Sequence, residues 1–304
     1  MFVDAIIGAM MCKVARVTLS FFNWYLVDLD LSVMKRKLTV PKSRLKSPIA
    51  KFTYAIIKVL SKSNSGQTFL TLTTLFTINQ SRSTKMRNEQ IEFAFVGDTW
   101  LTRRFTEVEA LEPDTLNWID TFEDQCVLWD IGSNVGGYSI YAAKSKNAQV
   151  VAFEPSPFNL EFLARNIWLN GLEKNITVIP IALSQYAIRA PLNMKRIEWA
   201  SSYSTFGEKE FDDNDHFIYS TIGIPIDSVG PVFHLPEPHY IKLDVDGIEG
   251  LILSGGKNVL AHVKSVLVES PESSSGKELV LTCLNQAGLK KQAIVLHNEI
   301  WTRA

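Results

Sequence analysis

The rhythm of apolar and polar positions changes at Val127. Beyond it, short apolar runs alternate with stretches of helical spacing. Val127–Ile131, Gln149–Pro155, Ile176–Ser184, His239–Gly247 and Ser265–Ser270 are compact and rich in β-branched residues, which predicts strands. Gly137–Lys144, Ser156–Gly171, Ile248–Gly256 and Gly276–Gly288 repeat apolar residues every three to four positions, which predicts helices. The ending KKQAIVLHNEIWTR predicts a hairpin turning at His297-Asn298. Strands separated by helices pair in parallel through crossovers, so the pattern predicts an α/β fold with a doubly wound, mostly parallel sheet. Runs such as QVVAF and SVLVE are apolar throughout, as expected of strands covered on both faces. The alternation lapses between Ser184 and Pro238. The polar stretch 201–217 there is expected to be disordered or an active-site lid.

Upstream the pattern is looser. Residues 1–62 read as mainly helical, and Ala50–Leu60 carries clear helical spacing. SKSNSG (61–66) reads as a linker, Thr68–Ile78 as a β-branched strand, and NQSRSTK (79–85) as a loop. Ile91–Trp100 predicts a strand closed by a Gly-Asp turn, and Glu112–Phe122 a helix with Pro113 and Asp114 at its start.

Composition sharpens this outline. In 304 residues, 46% are hydrophobic and 21% charged, so a packed core is expected and wholesale disorder is not. Cys12, Cys126 and Cys283 are widely separated, which argues against a disulfide framework and a structural zinc site and suits a reducing cytoplasm. The net charge of -1 conceals an asymmetry: Leu31 to Asn88 holds twelve Lys or Arg and no Asp or Glu. That imbalance points to an anionic partner such as a membrane surface or carbohydrate. No motif or aromatic platform supports nucleic acid. The N-terminal apolar runs are too short to cross a bilayer and are interrupted by Asp4, Lys13 and Arg16. They are expected to pack on the body or lie on a membrane surface.

Three glycines follow the strand Val127–Ile131 within six positions, in G-S-N-V-G-G. In an open α/β sheet, ligands bind at the carboxyl ends of the strands. Glycine lets the backbone approach a ligand there, and the helix after it offers unpaired N–H groups. Asn134 stands where a dinucleotide fingerprint has its second glycine, and the lysine of a phosphate-binding P-loop is absent. Glu154, at the end of the next strand, is placed to accept hydrogen bonds from ribose hydroxyls. A nucleoside pocket with an acid and no phosphate lysine suits S-adenosylmethionine, whose sulfonium is cationic.

WDIGSNVGGYSIYAAK, VAFEPSPFNLEFLARNI, IALS and YIKLDVDGIEGLIL, in that order, resemble the motifs of the FkbM family of methyltransferases. The resemblance, which covers roughly Glu112 onward, implies a class I methyltransferase (Rossmann-like) fold, expected as a domain of residues 89–304 after a basic, mainly helical N-terminal extension of residues 1–88. It implies methyl transfer from S-adenosylmethionine to a hydroxyl of a sugar, glycan or glycolipid. Asp130, Gly132, Ser133, Asn134 and Gly136 would line the methionine part. Glu154 would hold the ribose with Pro155 and Ser156 beside it, and Ala182, Leu183 and Ser184 would lie near the adenine. Gly250 departs from the family pattern, where a larger or polar residue is common. The basic extension lies outside the shared region.

A sugar hydroxyl is a poor nucleophile and needs a base. Asp244, at the end of a core strand, is the first candidate, with Asp246 and Glu249 in support. Asp244 could instead cap the following helix. Asp244 with Glu269 could also offer Mg²⁺ two hard oxygen ligands. Lys242 is a strand lysine or a partner for these acids, and Asp227 a turn or cap residue. Trp199 and Tyr203 could stack on a sugar, while Trp168 is expected in the core. An NAD-linked oxidoreductase and a non-catalytic scaffold at a membrane surface are the alternatives.

Overall fold

The computed structural model describes residues 47–95, 112–194, 204–207, 217–271, 273–295 and 297–303. Cys12, the apolar N-terminal runs, Trp199 and Tyr203 lie outside them. By packing, the chain divides into two units, Met1–Leu70 and Thr71–Ala304. The boundary expected at residue 88 falls within a β-hairpin, whose register pairs Met86 with Glu89.

In the first unit, α1 (Pro48–Leu60) forms where the spacing predicts it. Ser47 caps it by accepting a hydrogen bond from the Ala50 N–H, and Pro48 occupies its first turn. The expected strand at Thr68–Ile78 is corrected: a helix, α2, runs Asn64–Ile78 and crosses the boundary between the units. Ser63 accepts from the Gly66 N–H at its start. The hydroxyls of Thr68 and Thr77 donate to the carbonyls of Asn64 and Thr73, four residues back, so these threonines are satisfied inside a helix despite their strand preference.

The second unit carries the remaining elements. Strand β1 (Gln80–Met86) pairs antiparallel with β2 (Glu89–Phe95), where a loop was expected. Polar side chains on its open face hid the alternation, and Met86 alone is buried. Then follow α3 (Pro113–Asp120), β3 (Val127–Ile131), α4 (Gly137–Lys146), β4 (Gln149–Phe153), α5 (Pro157–Leu169) and β5 (Ile176–Ile179). Next come β6 (Ala182–Ser184), β7 (Ile188–Met194), β8 (Ser204–Phe206), β9 (Phe217–Pro225), α6 (Ile226–Phe233) and β10 (Tyr240–Leu243). The chain ends with α7 (Glu249–Ser254), α8 (Lys257–Leu260), β11 (Ser265–Glu269), α9 (Ser274–Gln286), β12 (Leu289–Val295) and β13 (Asn298–Arg303).

The main sheet has the order β12-β13-β11-β10-β3-β4-β5. Its central strands are parallel, and β13 runs antiparallel between β11 and β12, the hairpin the sequence predicts. Period-two alternation sends Leu128, Val150 and Tyr240 to one face, under α3, α4 and α5. Trp129, Val151 and Ile241 go to the other face, with Ile252, Val280 and Leu284 of α7 and α9. Asp130 and Lys242 are register partners in β3 and β10. Both therefore lie on the α4 face, as polar residues among apolar ones.

Two further expectations are corrected. Ile176–Ser184 is two strands: Pro180 supplies no ladder N–H, and the chain leaves the main sheet there to enter a second one. That second sheet, ordered β6-β9-β7-β8, occupies part of the region where the pattern lapses. Its strands are short or, as in β9, carry isoleucines on the exposed face, so they show no clean alternation. Trp168, expected in the core, is 70% exposed on α5. Asp227 does cap, accepting from the backbone N–H groups of Asn258 and Val259 at α8.

Candidate active site

The turn from β3 to α4 is shaped by two glycines at positive φ. Gly132 sits at φ +80°, and a Cβ there would lie 1.9 Å from the Asp244 carbonyl oxygen. Gly136 sits at φ +86°, and a Cβ there would lie 2.5 Å from Leu163. The first glycine thus lets the β3 turn touch the end of β10. The second lets α4 begin tight against α5. Beside Gly137, at the helix start, a Cβ would meet nothing within 4 Å. The turn is also tied to β4, since the Gly132 and Ser133 N–H groups both donate to the Phe153 carbonyl at 3.0 Å.

Glu154 follows β4 and is only 4% exposed. Its carboxylate accepts from the Asn134 N–H at 2.9 Å and the Ser156 N–H at 2.7 Å. Burial pushes Glu154 up to about 7, opposed by those two N–H groups and by the Asn159 side chain. This acid joins the glycine turn to the start of α5. A carboxylate has about four acceptor positions, so two backbone N–H groups and the Asn159 side chain leave about one for a ribose hydroxyl.

Asp130 is buried on β3. It accepts from the Ser139 hydroxyl at 2.6 Å, and the Lys242 ammonium stands 3.7 Å from its other oxygen. That Oδ1 has no hydrogen-bond partner. Burial raises the Asp130 carboxyl above its usual range, with Lys242 and Ser139 opposing. Lys242 also donates to Asp244 Oδ2 at 2.9 Å and lies 5.3 Å from the centre of the Tyr138 ring. Burial works to lower the Lys242 pKa, but the charges of Asp244 and Asp130 outweigh it, and the lysine stays charged. The Tyr138 hydroxyl donates to Glu112 at 2.5 Å. Glu112 and Tyr138 thus join the polar cluster from α3 and α4. Neither carries a motif that singles it out in sequence. Lys242 is legible only through its place two residues before Asp244, on the same strand face.

The three expected catalytic acids separate by environment. Asp244 is 37% exposed at the end of β10. Glu249 is buried, and its Oε1 accepts from the N–H groups of Gly247 and Val245. Burial raises its pKa against those bonds. Asp246 has φ +60° and accepts from the Ser204 N–H. The Thr205 hydroxyl donates to its backbone carbonyl. Glu249 and Asp246 therefore shape the turn and fasten β8 to it, while the Asp244 carboxylate pairs with Lys242. Helix capping by Asp244 is not seen: α7 has Ile248 at its cap position with no side-chain cap bond.

The second sheet also touches the opposite turn. The Tyr219 hydroxyl donates to the Pro155 carbonyl, and the Ser156 hydroxyl lies 3.5 Å from Met194 Sδ. Residues of β7, β8 and β9 thus flank both the Glu154 turn and the Asp244–Gly247 turn. Ala182, Leu183 and Ser184 form the buried β6 of this sheet, with the Ser184 hydroxyl donating to the Tyr186 carbonyl.

Glu269, at the end of β11, is pushed up to about 8, first by burial and then by the charges of Asp244, Glu249 and Asp246. A hydrogen bond with Asp244 adds to the shift. Two carboxyls that bond to each other hold a proton between them, and Lys242 occupies Asp244 Oδ2. Among the described residues, no group of three or more His, Cys, Asp or Glu could hold a metal ion, and the Mg²⁺ expectation is not supported.

A parallel sheet with a reversed β13, a glycine turn after β3 and an acid after β4 define a class I, Rossmann-like methyltransferase. The family model for the methyltransferase FkbM domain matches residues 130–288. The chain belongs to the FkbM methyltransferase family, enzymes dependent on S-adenosylmethionine. It is similar to the hexuronic acid methyltransferase AglP of Haloferax volcanii, 28% identical over 181 residues, covering 60% of this chain and 70% of that one. Among solved structures it is similar to the precorrin-6y C5,15-methyltransferase of Geobacter metallireducens. That likeness has 16% identity and a TM-score of 0.40, covering 66% of this chain and 89% of that one. It is also similar to M. capricolum TrmK in complex with S-adenosyl-homocysteine, with 12% identity and a TM-score of 0.38, covering 64% and 69%.

Proposed function

We propose that this methyltransferase acts on a hydroxyl of a sugar, glycan or glycolipid, with Asp244 as the base. The observation that carries this is the contact between the two halves of the site. Gly132, in the donor turn, sits so close to Asp244 that no side chain fits between them. The Asp244 backbone thus touches the glycine turn, and its 37% exposed carboxylate is linked through Lys242 to Asp130 on β3. The similarity to a hexuronic acid methyltransferase supports a sugar acceptor.

The residues present fit the cofactor. Gly132 and Gly136 let the turn pack on β10 and α5, Gly137 leaves open space at the start of α4, and Asp130, Glu154 and Asp244 are the acids around it. Glu154 would hold the ribose, Asp130 to Gly136 the methionine part, and Ala182 to Ser184 the adenine side. Bound there, S-adenosylmethionine supplies an electrophilic methyl group on a good leaving group.

The chain's own contribution is alignment and proton removal. Alignment of the reactants can supply about 7–11 kcal/mol of barrier reduction. Asp244 accepts the acceptor's hydroxyl proton. Lys242 donates to Asp244 Oδ2 and fixes its orientation. Glu269, protonated near neutral pH, hydrogen-bonds to Asp244 without placing a second charge beside it. A non-catalytic scaffold and an NAD-linked oxidoreductase find no support in the family match.

Incubation with methyl-labelled S-adenosylmethionine and a panel of neutral sugars, hexuronic acids and their glycolipids tests the acceptor class. Label is expected on a sugar oxygen, lost in Asp244→Asn. Label on a nitrogen acceptor, or on no carbohydrate while another acceptor is methylated, would overturn the proposal.

A further inference from the structure

Helix α1 has no buried residue. Ile49, Phe52, Ile57 and Val59 are exposed, Ile49 at 78%. At about 100° per residue, Val59, Phe52, Ile56, Ile49, Leu60 and Ile57 share one arc of the helix, and Lys51 and Lys58 stand on the other. Helix α2, taken alone, carries no charged residue, and its Phe69, Leu72 and Phe76 are exposed at i, i+3 and i+7. An exposed apolar stripe of this size marks a surface made to be covered.

Charge selects what covers it. From Ser47 to Leu70 the sequence has three basic residues, Lys51, Lys58 and Lys62, and no acidic one. The matching face of a second copy would bring the same positive charge and repel. A bilayer with anionic lipids satisfies both features: apolar side chains enter the boundary between headgroups and acyl chains, and lysines meet phosphates. At 13 residues α1 is about 20 Å long, too short for a hydrocarbon core of about 30 Å. Among the described residues no helix is long and apolar enough to cross a membrane.

We propose that α1 is a membrane-surface helix that lies in the plane of an anionic bilayer. Its apolar arc faces the acyl chains, and Lys51, Lys58 and Lys62 face the headgroups. The inference uses neither the methyl-transfer chemistry nor the acceptor and stands separately from them.

Co-sedimentation of the full chain tests it, using phosphatidylcholine vesicles with and without about one-third phosphatidylglycerol. Binding is expected to rise about tenfold or more with phosphatidylglycerol and to fall with added salt. The double change Phe52→Ser/Val59→Ser, at exposed positions, should reduce it by a similar factor, as should Lys51→Glu/Lys58→Glu. Both variants should bind S-adenosylmethionine as the parent does, which shows that they fold. Equal binding to both vesicle types, or none to either, would overturn the proposal. So would a lipid-free dimer, seen by light scattering, that Phe52→Ser/Val59→Ser abolishes.

Discussion

The Lys242 ammonium lies 2.9 Å from Asp244 Oδ2, with the lysine buried and the aspartate at the mouth of the site. The same ammonium stands 3.7 Å from the fully buried Asp130. One cation thus serves a carboxylate in the core and another at the proposed reaction centre. Replacing Lys242 with Met leaves Asp130 without its counter-charge. Removing one partner of a buried pair typically costs about 3–5 kcal/mol. Urea unfolding should show a loss of that order, and a midpoint unchanged from the parent would show that Asp130 does not depend on the lysine.

Asp244→Asn keeps the shape of the side chain and removes its capacity to accept a proton. General-base catalysis is worth about 10²–10⁴ in rate. Turnover on an identified acceptor should fall within that range. Full activity in the variant would remove Asp244 as the base.

Gly132 and Gly171 separate close approach from backbone strain. Both have positive φ, at +80° and +65°, but a Cβ at Gly171 meets nothing within 4 Å. Gly171→Ala should cost about 1–2 kcal/mol, the price of the left-handed conformation alone. Gly132→Ala adds a clash with the Asp244 backbone, and overpacking brings about 1–3 kcal/mol more. Thermal unfolding of the two variants should rank them in that order, with Gly132→Ala also losing cofactor affinity.

Glu154 gives stability a pH dependence of known sign. Its pKa rises from 4.5 to about 7 on folding, so the folded state holds the proton more tightly. Its contribution is fully present below pH 4.5 and is lost as pH rises through about 7. A shift of that size corresponds to roughly 3 kcal/mol at about 1.4 kcal/mol per unit. In the cofactor-free protein, Glu154→Gln should flatten the decline in unfolding free energy between pH 5 and pH 8. The comparison is of slopes, because glutamine also alters the bonds to Asn134 and Ser156. Parallel slopes would mean that Glu154 titrates alike in both states.

The main sheet was legible because its strands are covered on both faces and stand between periodic helices. Val127–Ile131 and Ser265–Glu269 could hardly be anything else. The second sheet was not, because β7 and β9 carry apolar residues on their exposed face as well, such as Ile188, Ile218 and Ile222, which blurs the alternation. Nor was α2, where threonine hydroxyls bond to the helix's own carbonyls and override strand preference. Pro180 was visible as a break, but not where the chain went after it. At the site, the glycine turn and Glu154 were read from spacing. The sequence could show that Asp244, Asp246 and Glu249 lie close together, but not that the last two turn inward to hold backbone N–H groups. Tyr138 and Glu112 come together from separate helices, a pairing that no local pattern encodes.

Calorimetric titration of S-adenosylmethionine into the parent protein, Glu154→Ala and Asp244→Asn addresses the centre of the account. One-to-one binding is expected in the parent and at nearly unchanged affinity in Asp244→Asn. Glu154→Ala should bind at least about tenfold more weakly, the loss of one charge-assisted hydrogen bond. Equal affinity in all three proteins, or weakening confined to Asp244→Asn, would contradict the assignment of donor and acceptor sides.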